Sequence, residues 1–180
     1  MPAETATTTG LPSLIESIRD AVHLGLPATD TAAAVAGCLG TCLGDGLRLP
    51  ERYALGDPER YLQHIIHAEW DGSFSVVALV WLPGHRTSIH DHVSWCVTGV
   101  YEGEEQEERY ELSDDGTHLF AVGEDVNPVG AISALTPPGD IHRVSNCSEV
   151  RTISLHVYGA DIAKLGCSVR RTYTQPVVPA

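Results

Sequence analysis

Gly84-His85-Arg86-Thr87-Ser88-Ile89-His90-Asp91-His92 is the stretch that decides the fold of this chain of 180 residues. It begins in Pro83-Gly84, a turn signal, and leads into a run over 87–98 whose β-branched residues favour a strand. Successive side chains of a strand point to opposite faces, so His90 and His92 face one way and Asp91 the other. Two imidazoles on one wall make part of a metal site, and a third ligand has to come from elsewhere in the fold. His142, in Gly139-Asp140-Ile141-His142, is the best candidate. Imidazole suits iron, zinc, copper and nickel, so residue type alone leaves the metal open.

Further strands are expected over 73–82, 105–112, 119–122, 131–135, 141–146 and 151–158. They are separated by Ser113-Asp114-Asp115-Gly116, Asn127-Pro128 and Pro137-Pro138-Gly139 turns. Short strands at such spacing read as a β-sandwich or a closed barrel. Residues 51–67 are ambiguous between a short helix and the approach to a first strand. Nearer the N-terminus, Leu14, Ile15, Ile18 and Val22 recur at helical spacing after a candidate cap, Ser13, with Gly25 and Pro27 ending that helix. A second helix starts near the candidate cap Asp30, runs through alanine-rich sequence and stops at Gly44. Residues 1–10 read as a frayed tail and 11–180 as one domain, with the helices in 11–50 and the barrel in 70–160.

Composition narrows the function classes. Hydrophobic residues are 43% of the chain and charged residues 19%, an ordinary globular balance. The formal net charge is −13, with 24 acidic residues against 11 basic, which disfavours nucleic acid and anionic lipid as partners. Part of that charge lies in Glu102, Glu104, Glu105, Glu107, Glu108 and Glu111, a run that reads as a solvated strand edge or turn. No apolar stretch approaches the roughly 18–20 residues of a membrane span, and the start MPAETATTTG lacks the pattern of a signal peptide. Five cysteines at irregular spacing are unlike a secreted disulfide framework, so a reducing cytoplasm is expected. Cys38 and Cys42, four apart on the second helix, read as small packing residues.

The spaced histidines resemble the cupin superfamily. Its first motif is matched by Gly84, His90, His92 and Gly103, with Cys96 standing where a glutamate ligand usually falls. Its second is matched by Gly130, Pro137, Gly139, His142 and Asn146, with one extra residue after the first glycine. The resemblance implies a mostly β, jelly-roll-like barrel, the double-stranded β-helix, preceded here by α-helices. Loss of the glutamate leaves three neutral imidazoles and open coordination positions for an anionic ligand.

This variant, followed by Ser154-Leu155-His156-Val157-Tyr158, looks like the thiol dioxygenases, the family of cysteine dioxygenase and 3-mercaptopropionate dioxygenase. The resemblance implies one ferrous ion per chain on His90, His92 and His142, O2 as co-substrate and a small thiol oxidised to a sulfinate. Ser154, His156 and Tyr158 share one strand face and can form a hydrogen-bonded relay, which in the family lies behind the metal with tyrosine towards substrate or oxygen. Cys96 is either a small core residue or, as in cysteine dioxygenases with a thioether crosslink, a partner of Tyr158.

Substrate recognition is open. Where mammalian-type enzymes carry an arginine for the substrate carboxylate, this chain has His64 next to Gln63. Arg86, Arg143 or the pair Arg170-Arg171 are alternative readers of a carboxylate. Two other readings compete: a metal cupin acting on a different small sulfur compound or cleaving a carbon ring, and a non-enzymatic cupin that binds a small ligand.

Overall fold

The computed structural model describes residues 10–179; residues 1–9 of the expected tail lie outside the described residues. Gly10, assigned to that tail, instead precedes helix α1 (Leu11–His23) as its cap, with Pro12 in the first turn. Ser13 is not the cap, and its carbonyl accepts a hydrogen bond from the Ser17 hydroxyl inside the helix. Helix α2 (Ala28–Gly44) begins after Pro27, which places Asp30 in the first turn, where a carboxylate complements the helix dipole. A single 3-10 turn, Glu51–Tyr53, follows.

The strands are, in chain order, β1 (Leu62–Ala68), β2 (Ser75–Trp81), β3 (Ile89–His92), β4 (Cys96–Glu102), β5 (Glu104–Leu112), β6 (Leu119–Pro128), β7 (Ile132–Leu135), β8 (His142–Ser145), β9 (Thr152–Tyr158), β10 (Val169–Tyr173) and β11 (Val177–Pro179), with the short helix α3 (Ile162–Leu165) before β10. The ambiguous region thus resolves into a 3-10 turn and β1. The single strand expected over 87–98 is two, because the chain leaves one sheet after His92 and enters the other at Cys96. At that crossing Trp95 accepts a backbone hydrogen bond from Gly159, 3.0 Å away.

Two sheets result, ordered β1-β2-β9-β4-β7 and β10-β3-β8-β5-β6-β11. From β2 to β5 and again from β6 to β10, consecutive strands alternate between the sheets, the winding of a double-stranded β-helix. The architecture is therefore the cupin barrel, mostly β with two N-terminal helices. Among the described residues, the pairings between these strands are antiparallel except that of β11 with β6.

Strand periodicity explains the packing. On β2, Val76 and Ala78 join Leu14, Ile18, Val35 and Leu39 of the helices in one core, while Val77, Leu79 and Trp81 point into the barrel with Cys96, Val144 and Tyr158. The middle of the first sheet is thus buried on both faces, so β2 reads as a continuous apolar run rather than an alternation. β9 divides likewise: Leu155 and Val157 face the helices, leaving Ser154, His156 and Tyr158 for the interior.

Candidate metal centre

β3 and β8 are antiparallel neighbours with His90 directly opposite His142, and His92 lies two residues along the same face. The three imidazoles turn into the barrel, each at most 5% exposed, with potential ligand nitrogens all within 4.8 Å of one another. Each Nδ1 meets an oxygen that can only accept. His90 Nδ1 donates to the Ser88 carbonyl at 2.9 Å, His92 Nδ1 to Asp140 Oδ2 at 3.0 Å and His142 Nδ1 to Glu107 Oε1 at 2.7 Å. That fixes the proton on Nδ1 in all three rings and leaves each Nε2 lone pair free for a cation.

Electrostatics agree. Burial first, then the neighbouring His142 and His92, push His90 down to about 3, and burial also lowers His142. Neutral rings are what metal coordination requires. Burial works to raise the Glu107 and Asp140 carboxyls, but the hydrogen bonds from His142 and His92 together with favourable charge interactions, Arg109 among them for Glu107, keep both below their ordinary values. Two carboxylates thus stand directly behind the ligands, and the donor set fits a divalent transition metal.

Beside this cluster runs the chain from β9. Trp81 Nε1 donates to Ser154 Oγ at 3.0 Å, Ser154 Oγ meets His156 Nε2 at 3.0 Å, and His156 Nδ1 meets the Tyr158 hydroxyl at 3.1 Å. The Tyr158 ring lies 6.0 Å from that of His92, centroid to centroid, so the tyrosine end is the one beside the metal ligands. Burial pushes His156 well below and Tyr158 well above their ordinary values, leaving both neutral. Cys96 sits directly opposite Tyr158 in the β4–β9 register, fully buried.

A narrow cavity joins the two groups, with Tyr61, Gln63, Thr87, Ser168 and Val169 among its walls. Tyr61 stacks on Trp81 with ring centroids 4.6 Å apart. Of the residues considered for substrate, Gln63 lines this cavity and His64 does not: neighbours on β1 face opposite ways, and His64 Nε2 donates to the Leu55 carbonyl at 2.8 Å. The arginines are also elsewhere. Arg143 makes a bidentate pair with Glu108, both bonds 2.6 Å, and lines a separate surface depression together with Arg86. Arg170 and Arg171 converge on Asp91 Oδ2 with the Tyr173 hydroxyl. None of the side chains lining the cavity is an arginine or lysine.

The glutamate run is corrected too. Glu105 and Glu107 are buried, because alternate residues of β5 turn into the barrel, while Glu102 pairs with Arg151 and Glu108 with Arg143. Sequence reasoning missed Glu107, Asp140, Trp81, Tyr61 and Ser168. A two-residue period within the acidic run was the one available signal for Glu107; the others depend on partners far away in the chain.

The family model for cysteine dioxygenase type I matches residues 45–166. The chain belongs to that family. The matched span includes all three histidines and the whole β9 chain of polar residues. This member is 29% identical to cysteine dioxygenase type 1 of Danio rerio over 111 residues, covering 59% of this chain and 55% of the relative. It is 29% identical to the human protein of the same name over 109 residues, covering 59% and 54%. The chain therefore matches about half the length of these curated relatives. Among solved structures, a protein with a double-stranded β-helix domain from Klebsiella pneumoniae superposes with a TM-score of 0.48 at 16% identity, over 62% of this chain and 81% of that one.

Proposed function

We propose that this family member is an iron-dependent dioxygenase that converts a small thiol and O2 to a sulfinate. The observation that carries the reading is the shared cavity: three Nε2 lone pairs and the Tyr158 hydroxyl open onto one enclosed space. When bound, ferrous iron would supply a Lewis acid that lowers the pKa of the thiol and a redox centre for O2 chemistry. His90, His92 and His142 would hold it, with Asp140 and Glu107 fixing two of the rings.

The chain's other residues have definite tasks. Leu79, Val144 and Val169 exclude water from the reacting space. Trp81, by donating to Ser154, fixes the far end of the polar chain, and Tyr158 presents its hydroxyl to the bound reactants. With no guanidinium in the wall, Gln63 and the hydroxyls of Tyr61, Thr87 and Ser168 are the groups that read the rest of the substrate. These are neutral hydrogen-bonding groups, so a substrate carboxylate lacks the bidentate clamp that arginine provides.

The test is anaerobic reconstitution with Fe²⁺ followed by oxygen-consumption assays on cysteine, 3-mercaptopropionate, cysteamine and bulkier thiols, with the product weighed by mass spectrometry. The expected product carries two added oxygen atoms. Absence of oxygen uptake with every thiol rejects the proposal, and unchanged iron content in His142→Ala rejects the ligand set.

A further inference from the structure

Glu105 is a buried carboxylate that the site as described leaves without a task. It lies two residues before Glu107 on the same inward face of β5 and is 2% exposed. Its Oε2 has no hydrogen-bond partner among the described residues. The start of β5 is tied to β9, since the Glu104 amide donates to Thr152 Oγ1 and that hydroxyl donates to the Glu104 carbonyl. This brings Glu105 beside Ser154, close enough for the serine hydroxyl to favour the ionised carboxylate. An orphaned carboxylate oxygen in so dry a place calls for an explanation.

We propose that Glu105 is the inner terminus of the Ser154–His156–Tyr158 chain, setting the direction of its hydrogens and accepting the proton lost by the substrate thiol. The second half of this statement rests on the thiol dioxygenase reading; the first does not.

Counting donors gives the direction. Ser154 Oγ has one hydrogen and two lone pairs, and Trp81 Nε1–H occupies one lone pair. A carboxylate only accepts, so Ser154 gives its hydrogen to Glu105 and takes the Nε2 hydrogen of His156 on its remaining lone pair. His156 Nδ1 is then bare and accepts from the Tyr158 hydroxyl. Every hydrogen points from the cavity towards Glu105.

One shift along that line moves a proton without stranding charge. The thiol proton passes to Tyr158 oxygen, the phenol proton to His156 Nδ1, the Nε2 proton to Ser154 Oγ and the hydroxyl proton to Glu105. The sum is thiol plus carboxylate giving thiolate plus carboxylic acid. His156 and Tyr158 are held neutral by burial, so neither is a resting place for charge, and the terminus has to be a group that can hold the proton. Burial, opposed by Ser154 and assisted by Glu107, pushes Glu105 up to about 7. An ordinary thiol titrates at about 8.5, so the exchange is far closer to balance than with an ordinary carboxylate.

The test has two arms. In metal-free protein, nitrogen-15 NMR of the histidines reports the tautomer of His156: Nε2–H is expected in wild type and Nδ1–H in Glu105→Leu, where Ser154 has only Nε2 left to donate to. In iron-loaded protein kept anaerobic, at a pH above the carboxyl's midpoint, addition of cysteine or 3-mercaptopropionate should raise a protonated-carboxyl band in the infrared difference spectrum. That band should be lost in Glu105→Gln, which keeps the shape but cannot take a proton. An unchanged tautomer in Glu105→Leu overturns the inference whatever the thiols do. A flipped tautomer with no carboxyl band in wild type overturns the proton-accepting half, and wild-type oxygen uptake then tells whether the thiol reading has failed with it.

Discussion

At the residue scale, the metal centre depends on groups that never touch the metal. Glu107 is the hydrogen-bond acceptor that orients the His142 ring, so Glu107→Ala should weaken metal binding by about 10–100-fold while leaving the three histidines in place. Competition against a chelator of known affinity measures this. Glu105 makes a different demand, on stability. Its folded value of about 7 lies above the ordinary 4.5, so between those pH values the unfolded chain gives up a proton that the folded chain keeps. The unfolded state then binds fewer protons, and the contribution of Glu105 to stability falls as pH rises, by about 3 kcal/mol across the window. Urea unfolding of Glu105→Gln and wild type over a pH series should show a gap that widens in the variant's favour from acid to neutral. A gap independent of pH would mean that the carboxyl titrates normally.

At the scale of elements, one carboxylate reinforces the backbone pairing of β10 with the ligand strand β3. Asp91 points away from its flanking histidines and collects Arg170, Arg171 and Tyr173; burial opposes ionisation, but these three donors bring it down to about 2. Asp91→Ala should release β10, read as faster amide exchange over 169–173, and should uncover the cavity wall at Ser168 and Val169. The outer face of the same barrel is equally tight, since a Cβ on Gly99 would come within 2.8 Å of Leu39 and Leu43. Gly99→Ala should cost about 1–3 kcal/mol in denaturant unfolding. The β4–β9 register sets Cys96 directly opposite Tyr158, and intact mass decides whether a thioether joins them: a deficit of two hydrogens, abolished in Cys96→Ser, marks the bond. Strand alternation makes the shared faces of His90 with His92, and of Ser154 with His156 and Tyr158, legible in the sequence itself, because a period of two needs only neighbouring residues. The destinations of Arg143 and Arg171 were not legible, because each is set by a carboxylate on another strand, Asp91 lying 80 positions from Arg171. The acidic run misled for a related reason: composition favours solvent, and only the pairing of β5 with β8 shows which carboxylates turn inward.

At the scale of the whole molecule, the helices close one face of the first sheet, and the site sits between the two sheets, bounded by strands from both. A ligand that binds only this assembled state must stabilise all of it. Divalent metal at a hundredfold excess over its dissociation constant should add about 2.7 kcal/mol and raise Tm, and the increment should vanish on chelation and in His142→Ala. Double-stranded winding was legible from two spaced motifs, whereas closure of the cavity by β10 and the loop before it was not, since those residues carry no motif. Trp81 gives the molecule one more property. The three tryptophans occupy unlike surroundings: Trp70 is 83% exposed, Trp95 is packed beside Gly159, and Trp81 is fully buried, with its indole bonded to Ser154 on the cavity wall. A change in ultraviolet emission on filling the cavity is therefore expected to come from Trp81, and its loss in Trp81→Phe, with Trp70 and Trp95 still present, checks that the indole on the cavity wall reports on the site with no label attached.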